Sequence, residues 1–379
     1  FKIMVPNIYL DNAATTKVDL KVSKVVDAFS LKEYANPSSI HSFGKNVKKE
    51  VDFARKKIAN FIGATPSEII FTSGGTESNN LAIRGLAAAN PSKKHIITSV
   101  IEHPSVLDTC RSLEKNNYEI ECIKVDSNGL INPLEIEKKI RKDTLLVSVM
   151  HVNNEIGTIQ SIEEIGKICK KKNVYFHSDT IQSFKKIDIN VLNMNLDLIS
   201  VSGHKIHGPK GIGFLYIKKG TKIFSILTGG GQEGGLRSGT ENVPGIMGLS
   251  TALDIKNNKE NILKKRNKLL KGLRKIKAIK INGDMDKRIY NNINISFYGI
   301  EAEGLIDLLD KEGIYVSTGS ACVSTSLSGS YVLKEIGLDE KYINGSLRLT
   351  LSDISHSEID YVIDKISKNV EKLRSISPF

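Results

Sequence analysis

Long tracts of Pro, Ser or Gln are missing from the 379 residues, and with 40% hydrophobic and 25% charged residues the whole chain is expected to fold, without a disordered arm. No apolar run approaches the ~20 residues needed to cross a bilayer. The opening FKIMVPNIYLD lacks the apolar core of a secretory signal. A soluble, cytoplasmic protein is expected, or one of an organelle matrix if a leader has been removed. Cysteines are few: the four of them, Cys110, Cys122, Cys169 and Cys322, are too widely spaced for a disulfide framework or a zinc site. That suits a reducing compartment and leaves free thiols for chemistry. Acidic residues are the minority charge, 42 Asp+Glu against 54 Lys+Arg, which leaves +12. The basic runs at 170–172 and 264–266 fall on helical stretches, where a solvated face explains them, so direct nucleic-acid binding is not expected.

What is present is a regular alternation. Short β-branched runs are predicted as strands at 69–72, 95–98, 120–125, 145–149, 174–177, 198–201 and 213–217. Between them, helical spacing of apolar residues marks 46–61, 77–89, 104–116 and 162–171. This order reads as an α/β architecture with a parallel sheet covered by helices. A single long helical stretch, 243–276, then leads into strand, helix, strand, helix at 293–297, 302–311, 347–351 and 358–373, a smaller α+β unit. The length favours two packed units, joined firmly through the long helix, with a boundary near residue 255.

Four constellations could carry chemistry. In FTSGGTESNN, residues 71–80, a strand ends in Ser73-Gly74-Gly75-Thr76 and a helix begins at once, which points free N–H groups and the positive helix end at an anion. A plain capped turn is the alternative. In VYFHSDTIQ, Asp179 ends an apolar run and reads as a buried carboxylate in need of a cation, for which a protonated cofactor ring nitrogen would serve as well as a structural partner. In SVSGHKIHGPKGIGFLYI, Lys205 follows a strand end among Gly203, Gly208 and Gly211, at the edge where open α/β sheets bind ligands. That placement suits a Schiff-base lysine. His204 and His207 lack the partners a metal site would need. A phosphate turn, a strand-end Asp and a Gly-flanked Lys together make the parts list for pyridoxal phosphate.

The stretch 229–234 matches the dinucleotide pattern GxGxxG but follows a poor strand, so it reads as a loop leading to Arg237, Ser238 and Thr240 that contacts an anion. Cys110, Cys122 and Cys169 lie among apolar periodic residues and read as inert core thiols. Cys322 differs. It lies in YVSTGSACVSTSLSGS, a run of small and hydroxyl residues with little to bury, from which a thiol could reach into a site and attack.

Taken in order, YLDNAATT, NPSSIHSFG, FTSGGTESNN, SVIEHPSV, MHVNNEIGTIQ, HSDTIQ, SGHKIHGPKG, GGGQEGGLRSGTEN and VSTGSACVS resemble the cysteine desulfurases, from about residue 8 to the C-terminus. The length of the Cys322 loop resembles the NifS and IscS branch. The resemblance implies the pyridoxal-phosphate transferase fold type I. A large α/β domain, 13–255, would hold a mostly parallel seven-stranded sheet. A smaller α+β C-terminal domain, 256–379 with the N-terminal segment 1–12, would carry the catalytic cysteine. It implies that Lys205 forms the Schiff base, Asp179 pairs with the ring nitrogen, His103 stacks on the ring and assists proton transfers, and Gln182 and Asn154 contact the ring oxygen. Gly75, Thr76, Ser202 and His204 would hold the phosphate, with Thr240 arriving from a second subunit of a homodimer. Asn36 and Arg348 would grip the substrate carboxylate.

The implied reaction converts L-cysteine to L-alanine and leaves the sulfur as a persulfide on Cys322, for transfer to an iron–sulfur scaffold or a tRNA-thiolating enzyme. No metal is expected, though Cys322 could transiently ligate a cluster iron in a partner complex. A selenocysteine lyase, or another pyridoxal-phosphate lyase or aminotransferase on the same fold, is the alternative. Gly75 stands where many relatives carry alanine, a difference expected to be tolerated. The C-terminal segment is shorter than in the IscS proteins, which bears on any scaffold docking tail.

Overall fold

The computed structural model describes residues 6–319 and 329–376. The chain opens with β1 (Ile8–Tyr9), α1 (Leu20–Leu31) and α2 (Ser42–Phe61). Strands and helices then alternate: β2 (Ile69–Thr72), α3 (Gly75–Ala89), β3 (His95–Ser99), α4 (Pro104–Glu114), β4 (Glu119–Ile123), α5 (Pro133–Lys139), β5 (Thr144–Ser148), α6 (Ile162–Lys172), β6 (Tyr175–Asp179), β7 (Leu198–Ser202) and β8 (Gly213–Ile217). The seven strands β2 to β8 form one sheet in the order β2-β8-β7-β6-β5-β3-β4. Only β8 runs against its neighbours.

The sheet is buried on both faces because its strands carry apolar side chains on both. Ile96, Leu146, Leu198 and Leu215 pack beneath α3 and α4, while the alternate residues Ile97, Val147, Ile199 and Phe214 pack beneath α2, α6 and a later helix, Val243–Ala252. The edge strand β4 departs from this rule. Its pattern is half open, and Cys122 on it is exposed rather than the core thiol expected. Cys110 and Cys169 are buried as expected, and burial pushes both thiols well up from their ordinary range.

The expected long helix is broken. It is two helices, α7 (Val243–Ala252) and α8 (Lys259–Leu273), separated by a turn in which Asn258 caps α8 through the N–H of Asn261. An Asn-Asn pair between two apolar-periodic stretches is a cap signal, and it overrides the continuous periodicity. Beyond it lie β9 (Ile279–Ile281), β10 (Asn292–Phe297), α9 (Ala302–Lys311), β11 (Ile314–Tyr315), α10 (Tyr331–Glu335), α11 (Glu340–Ile343), β12 (Ser346–Thr350) and α12 (His356–Ile376). Strands β12, β10 and β9 form an antiparallel sheet, and β1 pairs in parallel with β11. Ile8 and Leu10 are buried in the same apolar cluster as Leu269, Phe297, Leu309 and Val362. The first strand therefore closes the core built by the last third of the chain.

Strands β2, β3, β5, β6 and β7 end on the same edge of the large sheet. The connections leaving that edge begin at Ser73, Val100, Val149, Thr180 and Gly203. This is where an open α/β sheet gathers a site.

Candidate active site

Gly74 is the N-cap of α3, at φ 152°, a backbone setting that favours glycine. Among the described residues no acceptor takes the Gly75 and Thr76 N–H groups, which lie in the first turn of that helix. A Cβ on Gly74 would stand 3.6 Å from Ser202 Oγ, at the end of β7, so the turn and the strand end face each other. Helix end, glycine and hydroxyl form the cradle expected for a phosphate. A Cβ on Gly75 would meet Ile181 Cδ1, the far end of a flexible side chain, at 2.0 Å, so alanine here needs the Ile181 tip to turn aside.

Asp179 ends β6 and is buried, and among the described residues its oxygens accept from neutral donors, the Asn79 amide at 2.9 Å and the Ile181 N–H at 3.0 Å. The same Asn79 amide donates to Ser105 Oγ at 2.8 Å. Ser105 in turn stands 2.8 Å from His103 Nδ1, and its backbone N–H donates to that nitrogen at 3.1 Å. Since an N–H can only donate, Nδ1 is the acceptor and the neutral imidazole carries its proton on Nε2. Burial holds the His103 pKa below its ordinary value, with Asp179 opposing and Lys205 adding to the shift. Its place as the N-cap of α4 works in the same sense, because a positive helix end disfavours imidazolium.

Lys205 lies in the short turn after β7, and its Nζ donates to the carbonyls of Ala13 and Ala14, both at 2.7 Å. Gln182 donates to the same Ala13 carbonyl at 2.9 Å. His204 Nδ1 is 3.1 Å from Thr15 Oγ1, and burial, Lys205 and Lys210 bring its pKa down to about 4. The segment 13–16 is thus the wall against which this side of the site is built. Asn154 Oδ1 is buried with no hydrogen-bond partner among the described residues.

Arg348, on β12, is buried. Its Nη2 pairs with Asp11 at 2.7 Å and its Nη1 donates to the Asn154 carbonyl at 3.0 Å, while Nε has no partner among the described residues. Three of its five N–H groups remain for a carboxylate. Asn36 is exposed and uses its carboxamide oxygen on Ser38 N at 2.8 Å, without contact to Arg348. Thr240 is exposed. Arg237, expected to meet an anion, is held by Glu77 at 2.8 Å. The glycine run before it serves to bury Glu233, which pairs with Arg55 and takes the Phe71 N–H at 2.8 Å. No strand precedes that run, so it is not a dinucleotide loop. Cys322 lies outside the described residues.

Sequence reasoning did not assign roles to Asn79, Ser105, Asp11 or Glu155. Asn79 was the most accessible of these: four residues after Gly75 on an amphipathic helix, it shares that residue's face toward the sheet. The group His95, Glu119 and Glu121 brings ligand atoms within 4.8 Å of one another at the sheet's outer edge. Arg141 already takes both oxygens of Glu119, and Lys139 takes Glu121 at 3.0 Å, so their charge is compensated.

The residues present fit pyridoxal phosphate. The helix-end cradle suits a dianion, the uncompensated buried carboxylate suits a protonated ring nitrogen, the unpartnered Asn154 side chain suits a ring hydroxyl, and Lys205 supplies an amine.

The aminotransferase class-V family model matches residues 8–357. The cysteine desulfurase IscS of Methanosarcina thermophila is 48% identical over 378 residues, covering 98% of this chain and 94% of that protein. The cysteine desulfurase IscS of Dictyoglomus turgidum is 46% identical, covering 98% and 96%. Among solved structures, a NifS-like protein superposes with a TM-score of 0.91 at 38% identity, covering 97% of this chain and 100% of that one. A second, described as SspA in complex with cysteine, gives 0.84 at 37% identity, covering 91% and 99%.

Proposed function

Because the chain belongs to the class-V aminotransferase family and, within it, to the cysteine desulfurases, we propose that its site works as follows on L-cysteine. The observation that carries the reading is the buried Asp179 carboxylate, bonded among the described residues to neutral donors and linked through Asn79 and Ser105 to His103. When bound, pyridoxal phosphate supplies a cationic ring that accepts the electron pair left when the Cα–H bond of the amino acid breaks. Asp179 keeps that ring nitrogen protonated. Gly75, Thr76, Ser202 and His204 hold the phosphate, with Thr240 of a second subunit, and Gln182 and Asn154 hold the ring oxygen. Arg348, aimed by Asp11, takes the substrate carboxylate, with Asn36 at its edge.

Lys205 Nζ removes the Cα proton and returns it to the substrate skeleton. His103, neutral with its proton on Nε2, donates on the ring face. The Cys322 thiolate attacks the substrate sulfur: an S–S bond forms, the Cβ–S bond breaks, and its electron pair remains on Cβ, which takes a proton. The balance is cysteine plus a thiol in, alanine plus a persulfide out, with no external oxidant. The persulfide then passes to a second thiol, on an iron–sulfur scaffold or a tRNA-thiolating enzyme. A homodimer is supported by the exposure of Thr240, two residues after Ser238, whose N–H donates to Leu227 in a run with exposed Phe224 and Ile226. A thiol that must stay reduced between turnovers suits the cytoplasm.

The test is alanine production from L-cysteine by the pyridoxal-phosphate-loaded protein, run beside L-selenocysteine and a panel of amino donors. Alanine and persulfide from cysteine, lost in Lys205→Ala, are the expected result. Turnover of selenocysteine alone, or transamination without sulfur release, would refute it.

A further inference from the structure

Glu155 follows Asn154 in the connection after β5, and it is 1% exposed. Nothing in the chemistry above uses it. Its backbone is pinned on every side: the N–H donates to Asn153 Oδ1 at 2.9 Å, and the carbonyl accepts from Asn292 and Asn294 at 3.0 and 3.2 Å. Its carboxyl is aimed elsewhere. Ser330 Oγ donates to Glu155 Oε2 at 2.5 Å, while the same Ser330 oxygen accepts the Leu333 N–H as the cap of α10. The one hydroxyl therefore both caps the helix and donates to the buried carboxyl. On the other side, a Cβ on Gly319 would stand 2.8 Å from Glu155 Oε2 and 3.9 Å from Ser330 Cβ. Gly319 has φ 152°, so both its backbone and its lack of a side chain admit this approach.

Residues 319 and 330 are therefore brought together at one buried carboxyl, and the chain between them contains Cys322. The carboxyl also feels Arg348, whose guanidinium is held by the carbonyl of the preceding residue, Asn154. One short run, 153–155, thus touches the ring-side asparagine, the substrate-side arginine and the base of the cysteine segment.

We propose that Glu155 is a positioning residue for sulfur transfer, its carboxyl bonded to Ser330 and in close contact with Gly319, so that the two described ends flanking Cys322 are held side by side near Arg348. Resting on the desulfurase reading above, the inference assigns to Glu155 a part in the thiolate's attack and none in cofactor binding or Cα–H cleavage. A fixed base reduces the freedom that the nucleophile must lose to reach the substrate sulfur.

The test uses the pyridoxal-phosphate-loaded enzyme in single turnovers with L-cysteine. Two readouts are followed, the cofactor absorbance change on mixing and the persulfide on Cys322 by mass. Glu155→Gln keeps the shape of the side chain, and Ser330→Ala removes the donor. Each is expected to slow persulfide formation about tenfold, and the double variant by no more than either alone, because they break one link. The absorbance change and the KM for cysteine are expected to stay within about twofold of native. Persulfide formation at the native rate in Glu155→Gln overturns the inference. So does an equal loss of the absorbance change, which would mark a merely structural role. If Glu155→Gln does not load cofactor, Ser330→Ala alone decides on the same two readouts. Native protein that forms no persulfide on Cys322 would refute the desulfurase reading instead.

Discussion

At the scale of single residues, the site is governed by which groups are left charged. Asp179, Asn79, Ser105 and His103 form one hydrogen-bonded series, at the end of which two donors from Ser105 meet His103 Nδ1 and favour the neutral ring. Removing a donor to Nδ1 weakens the neutral form, so Ser105→Ala is expected to raise the His103 pKa toward 6.5. The acid limb of the rate profile then moves to higher pH, and an unchanged limb would show that His103 does not titrate in turnover.

Glu102, the neighbour of His103, is fully buried and its pKa is pushed up to about 8 by burial. With a folded value above the unfolded 4.5, its contribution to stability is present below pH 4.5 and is lost as pH rises toward about 8. The melting temperature of the native protein relative to Glu102→Gln should therefore fall across that window and then level, and a flat difference would mean the carboxyl is ionised throughout.

Gly75→Ala is expected to cost about 1 kcal/mol, as the Ile181 tip must turn aside, and Ile181→Ala should remove that contact. Thermal melts of the two singles and the double check this. That pair also shows where the sequence stops being legible. Gly75 and Asp179 could be picked out as phosphate turn and strand-end acid, because their neighbours in sequence are the reason for their roles. The size limit at Gly75 is set by Ile181, more than a hundred residues away, and no local pattern carries it.

The same division holds among elements. Strands and helices of the large sheet stand within a few residues of their predicted places, since a buried parallel strand and an amphipathic helix each announce themselves by period. The break between α7 and α8, the short strands β1, β9 and β11, and the exposure of Cys122 on β4 did not. Each depends on which elements lie alongside, not on the segment itself. The glycine run at 229–235 is the clearest case: its repeated glycines suggest an anion, yet its one acidic residue is what it delivers, to Arg55 on α2 and the N–H of Phe71 on β2. Glu233→Ala should cost about 3 kcal/mol, because it leaves Arg55 unpaired in a mostly buried setting. Chemical denaturation reads this directly, and a loss below about 1 kcal/mol would place the pair among ordinary surface bridges.

At the scale of the whole molecule, the large sheet carries the proposed cofactor groups along one edge and the C-terminal sheet carries Arg348, with Asp11 bonded to Arg348 and Ala13 to Thr15 bonded to Lys205 and His204. Substrate would thus be held by groups from both cores while the cofactor rests on one. The step that distinguishes a desulfurase from its relatives is the one proposed for Cys322. The most direct measurement is mass analysis of the pyridoxal-phosphate-loaded protein after incubation with L-cysteine, native beside Cys322→Ser, with alanine assayed in parallel. A sulfur adduct on Cys322, with alanine formed only by the native protein, is the expected result. Equal alanine from both proteins would contradict the assignment of Cys322 as the nucleophile.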